Sequence, residues 1–374
     1  MPGKPRPSRP PLPKRVAILA LPETAGSALY GMVDVLKSAG NLWQTLARTG
    51  QASSPFDVRI VSPARRPFRC GNEVPVTPGA CIADDPPADI VILPELWLGP
   101  DEHLGGRYPR VIEWIRKCHA AGACIYSACS GAILLAETGL LDGREATSHW
   151  GYLDLFRQRF PQIRFRPEPN LCFADDDGRV VTAGGTTSWH DLALHVISRH
   201  ASPGEALRIA KVYLLKWHDE GQLPYASLSR VRPHVDAVVR ECETWLREHF
   251  REPGAVGRAV ARSRVPERTL KRRFKAATGL ALIDYVQNLR IEEAKRRLEE
   301  SDRAADEISA EVGYEDASFF RRLFRRRTGL SPKGYRQLFA PARPAALRGN
   351  NRETKRPERD IVRIHDRPSL LRRA

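Results

Sequence analysis

Residues 268–285, RTLKRRFKAATGLALIDY, recur in outline 50 residues later as residues 318–335, SFFRRLFRRRTGLSPKGY. The shift superposes Arg272 on Arg322 and Phe274 on Phe324, and it aligns a Thr-Gly-Leu tripeptide in both stretches. A repeat at this spacing indicates two copies of one small structural unit.

Each copy predicts a basic helix on a small helical core. The apolar pairs Leu270/Phe274 and Phe320/Phe324 are four residues apart, which places each pair on one face of a helix. The positions between and after them carry cations. Glycine in the Thr-Gly-Leu tripeptide is a typical helix stop.

The residues before the second copy predict a helix-turn-helix. Residues 307–314, EISAEVGY, have the pattern of an amphipathic helix that ends at glycine, and Asp316 or Ser318 can cap the helix that follows. Such a unit inserts its second helix into the major groove of DNA while flanking cations hold phosphates. The cations of this copy are Arg321, Arg322, Arg325, Arg326 and Arg327. The alternative is an ordinary solvated helix surface, but the repeat keeps cations, apolar pair and stop together.

The C-terminal region resembles the AraC/XylS family of transcription factors over about residues 232–340. The resemblance rests on the two copies, on a bridging helix at residues 285–298, YVQNLRIEEAKRRL, and on the closing residues 329–336, GLSPKGYR. It implies two helix-turn-helix units joined by a long helix, with double-stranded DNA as partner. By similarity the base-facing residues are Arg268, Lys271, Arg272, Ser318, Arg321 and Arg322, and Lys275 and Arg325 complete the DNA-binding set.

The first unit departs from the family pattern at two positions. Arg264 stands where the turn normally has glycine, and Ala259 stands where a larger apolar residue is usual. We therefore expect a less regular first turn.

Positive charge is concentrated where the repeat lies. The chain carries a formal net charge of +16, of which residues 1–226 contribute +2, residues 227–340 contribute +8 and residues 341–374 contribute +6. This distribution is the electrostatic footprint expected for a nucleic-acid-binding region.

Cysteine usage and hydropathy indicate a reduced, cytoplasmic setting. The cysteines are odd in number and have neither a CxxC pair nor metal-like spacing: Cys70, Cys81, Cys118, Cys124, Cys129, Cys172 and Cys242. The sequence has neither a secretory signal nor a long apolar run, so no membrane partner is expected.

An Asp-Asp-Asp-Gly run at residues 175–178 lacks the later glutamate of a calcium loop and predicts a hairpin turn. We expect no metal and no cofactor.

The N-terminal half predicts a doubly wound α/β domain of the flavodoxin-like type. The continuous apolar run at residues 16–21 is typical of a strand buried on both faces of a parallel sheet, and further strands are expected at residues 57–61, 90–93 and 123–126. Helical patterns at residues 29–39 and 108–120 alternate with them, as a doubly wound sheet requires.

The fourth strand leads into residues 127–132, SACSGA, which predict a nucleophile elbow. Small residues on both sides of Cys129, between a strand and a helix, would hold the thiol at the carboxyl edge of the sheet. The helix dipole there favours the thiolate, and His149 follows 20 residues later.

This half resembles the ThiJ/PfpI branch of the class I glutamine amidotransferase-like superfamily, through the elbow and the downstream Thr-Ser-His at 147–149. The whole of residues 15–340 is similar to GlxA-type AraC regulators, with further matches at residues 139–144, 182–185, 191–195 and 219–222. Hydrolases of the superfamily carry a glutamate after the first strand. That position falls here on Ala28, and Glu23 is off register. With no acid beside the thiol, we expect no catalytic residue; an enzyme would use Cys129 and His149.

A ligand pocket is expected around the elbow, at Cys129, Ser130, His149 and Trp189. The alternatives are that Cys129 is turn packing and that His149 and Trp189 are half-buried core side chains. The expected organisation is a disordered lead-in (1–14), the sensor domain (15–222), a linker (223–231), the DNA-binding domain (232–340) and a basic disordered tail (341–374).

The sequence therefore predicts a regulator that binds specific DNA and responds to a small-molecule effector. A homodimer through the N-terminal domain is expected, and RNA polymerase is a candidate partner. The rivals are a cysteine-dependent amidotransferase-like hydrolase with a DNA-tethering domain and a non-specific nucleoid-type binder.

Overall fold

The N-terminal half is an α/β domain built on one long sheet. The computed structural model describes residues 12–49, 52–99, 101–102, 104–228 and 234–339. The predicted tail, and all but residues 12–14 of the predicted lead-in, lie outside these ranges. The strands are β1 Lys14–Leu19, β2 Phe56–Ser62, β3 Phe68–Cys70, β4 Val74–Val76, β5 Ala80–Cys81, β6 Ile90–Leu93, β7 Cys124–Ala128, β8 Glu145–Ala146, β9 Arg164–Phe165, β10 Leu171–Phe173 and β11 Val180–Ala183.

Among the described residues, seven strands form this sheet in the order β10-β11-β7-β6-β1-β2-β5. All neighbours are parallel except β10, which returns antiparallel to β11. The acidic run between these two strands is a turn, in which Asp175 accepts hydrogen bonds from the backbone N–H of Arg179 (2.7 Å) and Val180 (3.3 Å). The predicted hairpin is therefore present.

Helices cover both faces of the sheet, so the predicted doubly wound architecture is confirmed. Ile90 and Ile92 of β6 face one apolar core, whereas Val91 and Leu93 face the other. The first core includes α1 and α6, and the second includes α3, α4 and α5. The helices of this half are α1 Gly26–Ser38, α2 Leu42–Ala47, α3 Pro109–Ala120, α4 Gly131–Glu137, α5 Leu153–Arg159, α6 Trp189–His200 and α7 Pro203–Tyr213.

The C-terminal half is helical and has two small cores that share one helix. Its helices are α8 Ala237–His249, α9 Ala255–Ser263, α10 Glu267–Thr278, α11 Leu282–Glu300, α12 Ala305–Glu311, α13 Ala317–Thr328 and α14 Pro332–Phe339. The first part of α11 packs with α8, α9 and α10, and its second part packs with α12, α13 and α14. We call these groups the first unit and the second unit. No helix of the described ranges is long and apolar enough to cross a bilayer.

Arg290, in the middle of α11, joins the two units. Its guanidinium donates to the backbone carbonyls of Phe250 (2.7 Å) and Glu252 (3.1 Å) after α8 and of Gly313 (2.6 Å) after α12. Because carbonyls at helix C-terminal ends have no partner within their own helix, one side chain satisfies exposed acceptors of both units.

Both copies of the Thr-Gly-Leu tripeptide end their helix in the same way. The hydroxyl of Thr278 donates to the carbonyl of Phe274 (2.8 Å), and that of Thr328 donates to Phe324 (2.9 Å). Gly279 then takes a left-handed backbone, with φ of 77°, as does its counterpart in the second copy. The repeat seen in the sequence is therefore a repeat of structure.

The turns inside the two units differ. In the second unit Gly313 takes the left-handed conformation, with φ of 94°. In the first unit Arg264 itself takes it, with φ of 56°, and α10 begins after only Val265 and Pro266. The first turn is thus formed by a residue for which this conformation is strained.

Residues 223–228 belong to the predicted linker and are packed against other parts of the protein. Leu223–Tyr225 form a 3-10 helix. Beyond it, the carbonyl of Ala226 accepts a hydrogen bond from Lys295 (2.7 Å), and the N–H of Leu228 donates to Glu292 (3.0 Å). Residues 229–233 lie outside the described residues. The described part of this segment is a structured connection.

Replacing Arg264 with glycine is expected to stabilise the protein. Relief of the left-handed strain, roughly 1–2 kcal/mol, exceeds the entropic penalty of glycine, so the free energy of unfolding should rise by about 0.5–1 kcal/mol. Chemical denaturation of the full chain measures it. The matched control Arg262→Gly, two residues earlier in α9, should lower stability by about 1 kcal/mol. An equal loss of unfolding free energy in both variants would refute the backbone strain assigned to Arg264.

Candidate functional site

The two basic helices present their predicted DNA-binding side chains to solvent. Every member of the predicted set is exposed: Arg268, Lys271, Arg272 and Lys275 on α10, and Ser318, Arg321, Arg322 and Arg325 on α13. The opposite faces are buried, because Leu270 and Phe274 fill the first core and Phe320 and Phe324 fill the second. The cationic surface of each helix is therefore fixed by its apolar face.

The start of α13 is capped by a carboxylate. Asp316 accepts hydrogen bonds from the N–H of Ser318 (2.7 Å) and Phe319 (3.1 Å). These backbone bonds lower the pKa of Asp316. The cap orients the first turn of α13, which in a helix-turn-helix is the turn nearest the bases.

Some cations of these helices are used inside the protein. Arg327 donates to Asp284 of α11 at 2.5 Å and is half-buried, so it joins α13 to the bridging helix instead of facing outward with the other arginines. Arg273 donates to Asp236 at 2.6 Å and joins α10 to α8. Sequence pattern alone placed Arg327 among the outward cations.

Helix α11 sets the separation of the two units. Its 19 residues rise by about 28 Å. Successive major-groove segments on one side of a duplex are about 34 Å apart. The two basic helices belong to cores that pack against opposite halves of α11.

The predicted elbow is present between β7 and α4. Cys129 has a positive φ of 51°, and its N–H donates to the carbonyl of Ala183 at 2.9 Å. Gly131 follows, and any side chain there would overlap the carbonyl of Leu93. The small residue after the cysteine, which indicated the elbow in the sequence, is therefore required by the close approach of the neighbouring strand.

The thiol of Cys129 is buried beside a carboxylate. The residue is 2% exposed, and its Sγ lies 3.6 Å from Oε1 of Glu95. Burial, and next the charge of Glu95, raise the pKa of Cys129 well above the usual value. The expectation that the helix dipole favours a thiolate is therefore wrong for this structure, because desolvation outweighs the dipole.

Glu95 is a site residue that sequence reasoning missed. The glutamate sought after the first strand is absent, since Ala28 is buried in α1 and Glu23 instead binds Arg107 and the hydroxyl of Tyr108 (2.6 Å). The acid comes from the end of β6. Glu95 follows β6 and Cys129 follows β7, which are neighbouring parallel strands. Residues that follow adjacent parallel strands meet at the same sheet edge, and this was the signal available in the sequence. The interpretation that the thiol has no acid beside it is corrected.

The carboxyl of Glu95 is itself unusual. It is 9% exposed, accepts a hydrogen bond from Thr186 at 3.2 Å, and has no partner for Oε2 among the described residues. Burial raises the pKa of Glu95. The hydrogen bonds from Thr186 and from the thiol of Cys129 act in the opposite direction and lower it.

A cavity of about 170 Å³ lies next to the elbow. Aromatic rings, hydroxyls and amides line it: His149, Trp150, Asn170, Gly185, Thr186, Thr187, Ser188, His218, Gly221, Gln222 and Tyr225. Of the predicted pocket residues, His149 is in this lining. Cys129 and Ser130 are buried outside it.

Trp189, the remaining predicted pocket residue, packs against Gly31 of α1 and against the apolar core. The ring of His149 stacks on Trp150 with centroids 4.7 Å apart and accepts a hydrogen bond from the N–H of Gly151 (3.0 Å). Neither arrangement tests the pocket prediction, which stays a prediction.

Among the described residues, no cluster of three or more His, Cys, Asp or Glu is arranged for a metal ion.

Comparison with known families matches both halves. Residues 14–199 match the DJ-1/PfpI family, and residues 260–338 match a helix-turn-helix domain. The HTH-type transcriptional regulator CdhR of Pseudomonas aeruginosa is 30% identical over 250 residues, covering 66% of this chain and 72% of that protein. The HTH-type transcriptional regulator GlxA of Rhizobium meliloti is 27% identical over 228 residues, covering 60% and 68%. A solved AraC family transcriptional regulator from Pseudomonas putida is 18% identical with a TM-score of 0.42, covering 54% of this chain and 100% of that chain.

The raised pKa of Glu95 predicts a pH-dependent stability difference. A carboxyl with a raised folded pKa contributes stability that is fully present below its unfolded pKa of about 4.3 and is lost as pH rises through the folded pKa. Glu95→Gln removes this loss. The variant should therefore gain stability relative to wild type as pH rises from about 4 to 8.

Denaturant titrations of both proteins across this pH range measure the difference. Glu113→Gln, which changes an exposed acid on α3, is the matched control and should show a smaller difference. A stability difference between Glu95→Gln and wild type that does not change with pH would contradict the assigned shift.

Proposed function

Because the chain belongs to the HTH-type transcriptional regulators that join a DJ-1/PfpI domain to an AraC-type helix-turn-helix domain, it is a DNA-binding regulator, and we propose that a small metabolite bound in the α/β domain controls it. The observation that carries the DNA-binding role is the pair of exposed cationic helices on one bridging helix. We propose that the regulator acts in the cytoplasm, where its DNA target is accessible.

We propose that the outward residues of α10 and α13 read bases in successive major-groove segments. Arg272 and Arg322 occupy equivalent positions in the repeat and are both exposed. Arginine pairs with guanine through two hydrogen bonds, a contact that discriminates between base pairs. Phosphate contacts from the neighbouring cations fix the register without adding sequence preference.

The proposed effector site is the 170 Å³ cavity beside the elbow. Since one water occupies about 30 Å³ of liquid, the cavity has room for about six water-sized groups. This volume is below the roughly 300–1,000 Å³ of common ligand pockets, so the proposed effector has few atoms. The rings of His149 and Trp150 offer an apolar wall, and the hydroxyls of Thr186 and Thr187 offer polar contacts.

We further propose a homodimer formed by the α/β domain and a contact with RNA polymerase at the promoter. Large apolar side chains are exposed on one side of this domain, on or beside the packed helices α2 and α7: Leu46, Leu207 and Leu214. Two regulators paired through this surface would present four basic helices to an operator.

A second candidate function, a cysteine hydrolase, is favoured by the contact between Cys129 and Glu95. Against it, the thiol is 2% exposed and its pKa is raised by burial, so it remains protonated at neutral pH. A buried thiol cannot meet a substrate without rearrangement of the elbow. We therefore propose that the protein is not an enzyme.

Replacing Arg322 with alanine is expected to relax sequence preference. Binding sites are first selected from random DNA with the intact protein. The variant should then lose roughly 1–3 kcal/mol of preference for selected over random duplex, because one bidentate base contact disappears. The charge-matched control Arg110→Ala, on α3, should keep the preference. Equal losses on selected and random DNA would remove Arg322 from the base-reading set, and failure to select any site would refute the specific regulator.

Cys129→Ser separates the regulator from the hydrolase. A regulator should keep its affinity for the selected DNA and its response to effector, since the thiol is packed within the elbow. In the wild type, alkylation by iodoacetamide at pH 7 should be far slower than in denatured protein, because the thiol is buried and protonated. Mass spectrometry and fluorescence anisotropy measure these outcomes. Rapid stoichiometric labelling of native Cys129 would support the hydrolase instead.

A further inference from the structure

Gln222 connects the cavity to the second unit. Its side chain is 3% exposed and lines the cavity, and the residues directly after it form the 3-10 helix Leu223–Tyr225. This segment leaves the α/β domain and packs on the helical domain. One short stretch of chain is thus both a cavity wall and a domain contact.

The carboxamide of Gln222 is held tightly by the α/β domain. Its Nε2 lies within hydrogen-bond distance of Thr147 Oγ1 (3.1 Å) and of the carbonyls of Ser148 (3.0 Å) and Pro169 (3.0 Å). Its Oε1 accepts from the N–H of Trp150 at 3.2 Å. A buried side chain with all these contacts fixes the position of the backbone that follows it.

This fixation reaches the elbow through one residue. Ser148, whose carbonyl accepts from Gln222, donates its own hydroxyl to the carbonyl of Cys129 at 2.7 Å. Thr186, which lines the cavity, donates to Glu95 beside the thiol. The wall formed by Gln222 and the elbow are therefore parts of one hydrogen-bonded network.

On its other side the segment contacts the second unit and the adjoining part of α11. The ring of Tyr225 meets that of Phe339 in α14 edge to face, with centroids 5.5 Å apart. Leu223 lies within about 4 Å of the position where a side chain at Gly329, the end of α13, would sit. Asn288 of α11 donates to the carbonyl of Leu228 at 3.1 Å.

The geometry points to a relay in which occupancy of the cavity acts on the second unit alone, through Gln222 and Tyr225. The inference rests on the proposed function, since it names how that site regulates DNA binding. A ligand in the cavity touches Gln222 and Tyr225 directly. Moving them shifts α13 and α14 relative to the α/β domain, while α10 keeps its position on α8 and α9.

Two adjacent glycines make this inference testable without knowing the ligand. A side chain at Gly184 would overlap the carboxamide of Gln222, whereas one at Gly185 would meet Gln222 and His149 at an ordinary 3.6 Å. Gly184→Ala therefore displaces Gln222, and Gly185→Ala is the same chemical change with room to fit. The pair isolates the position of Gln222.

Hydrogen–deuterium exchange of the intact chain is the test. In Gly184→Ala, amides of α13 and α14 should exchange roughly tenfold faster than in wild type while those of α10 stay unchanged; in Gly185→Ala both should match wild type. Unchanged exchange in α13 and α14, or an equal rise in α10, would overturn the relay.

Tyr225→Ala and Tyr225→Phe provide a second pair, at a partly exposed position that tolerates substitution. Phenylalanine keeps the ring contact with Phe339 and loses only the hydroxyl bond to Glu220, so it should match wild type. Alanine should speed exchange in α14, and failure to do so would overturn the role of Tyr225. Neither pair needs DNA or effector, so a failed search for DNA sites would refute the proposed function and leave the relay readable.

Discussion

The guanidinium of Arg290 is the interaction on which the DNA-binding half depends. It binds carbonyls from the ends of α8 and α12 at once, so it ties both units to the middle of α11. Each unit alone has only a small apolar core, and small domains bury too little surface to be rigid by packing alone. Charge-assisted hydrogen bonds from Arg290 to these carbonyls supply the missing constraint. The result is a constrained relation between the two units that carry the basic helices.

The elbow illustrates a competition between two electrostatic effects of different size. A helix N-terminus stabilises a nearby anion by about 0.3–1 kcal/mol in exposed settings, whereas full burial shifts pKa values by several units. In Cys129 burial dominates, and the carboxyl of Glu95 adds to it. In this elbow the thiol of Cys129 is buried, and its raised pKa keeps it protonated. This supports the proposal that the elbow holds the end of the sheet and does not attack a substrate.

The described part of the connection between the domains, residues 222–228, has the properties of a coupling element. It is short, packed on both sides, and anchored by a side chain whose polar groups are all engaged within the α/β domain. An unstructured linker would let the two domains move independently and would pass no information between them. A packed segment has discrete arrangements, and a ligand that prefers one of them shifts the population of both domains.

Much of this protein was determined by the sequence itself. The period-50 repeat, the Thr-Gly-Leu stops and the alternation of apolar runs with helical patterns predicted the two units and the doubly wound sheet, because local patterns of apolar residues and glycine specify local structure. The residues around Cys129 likewise predicted the elbow. The tertiary structure alone decided three features: Glu95 beside the thiol, Arg327 turned toward Asp284, and Gln222 buried against Ser148. Each joins residues 34 to 74 positions apart in the chain, and such pairings depend on how strands and helices are arranged in space, which no local pattern records.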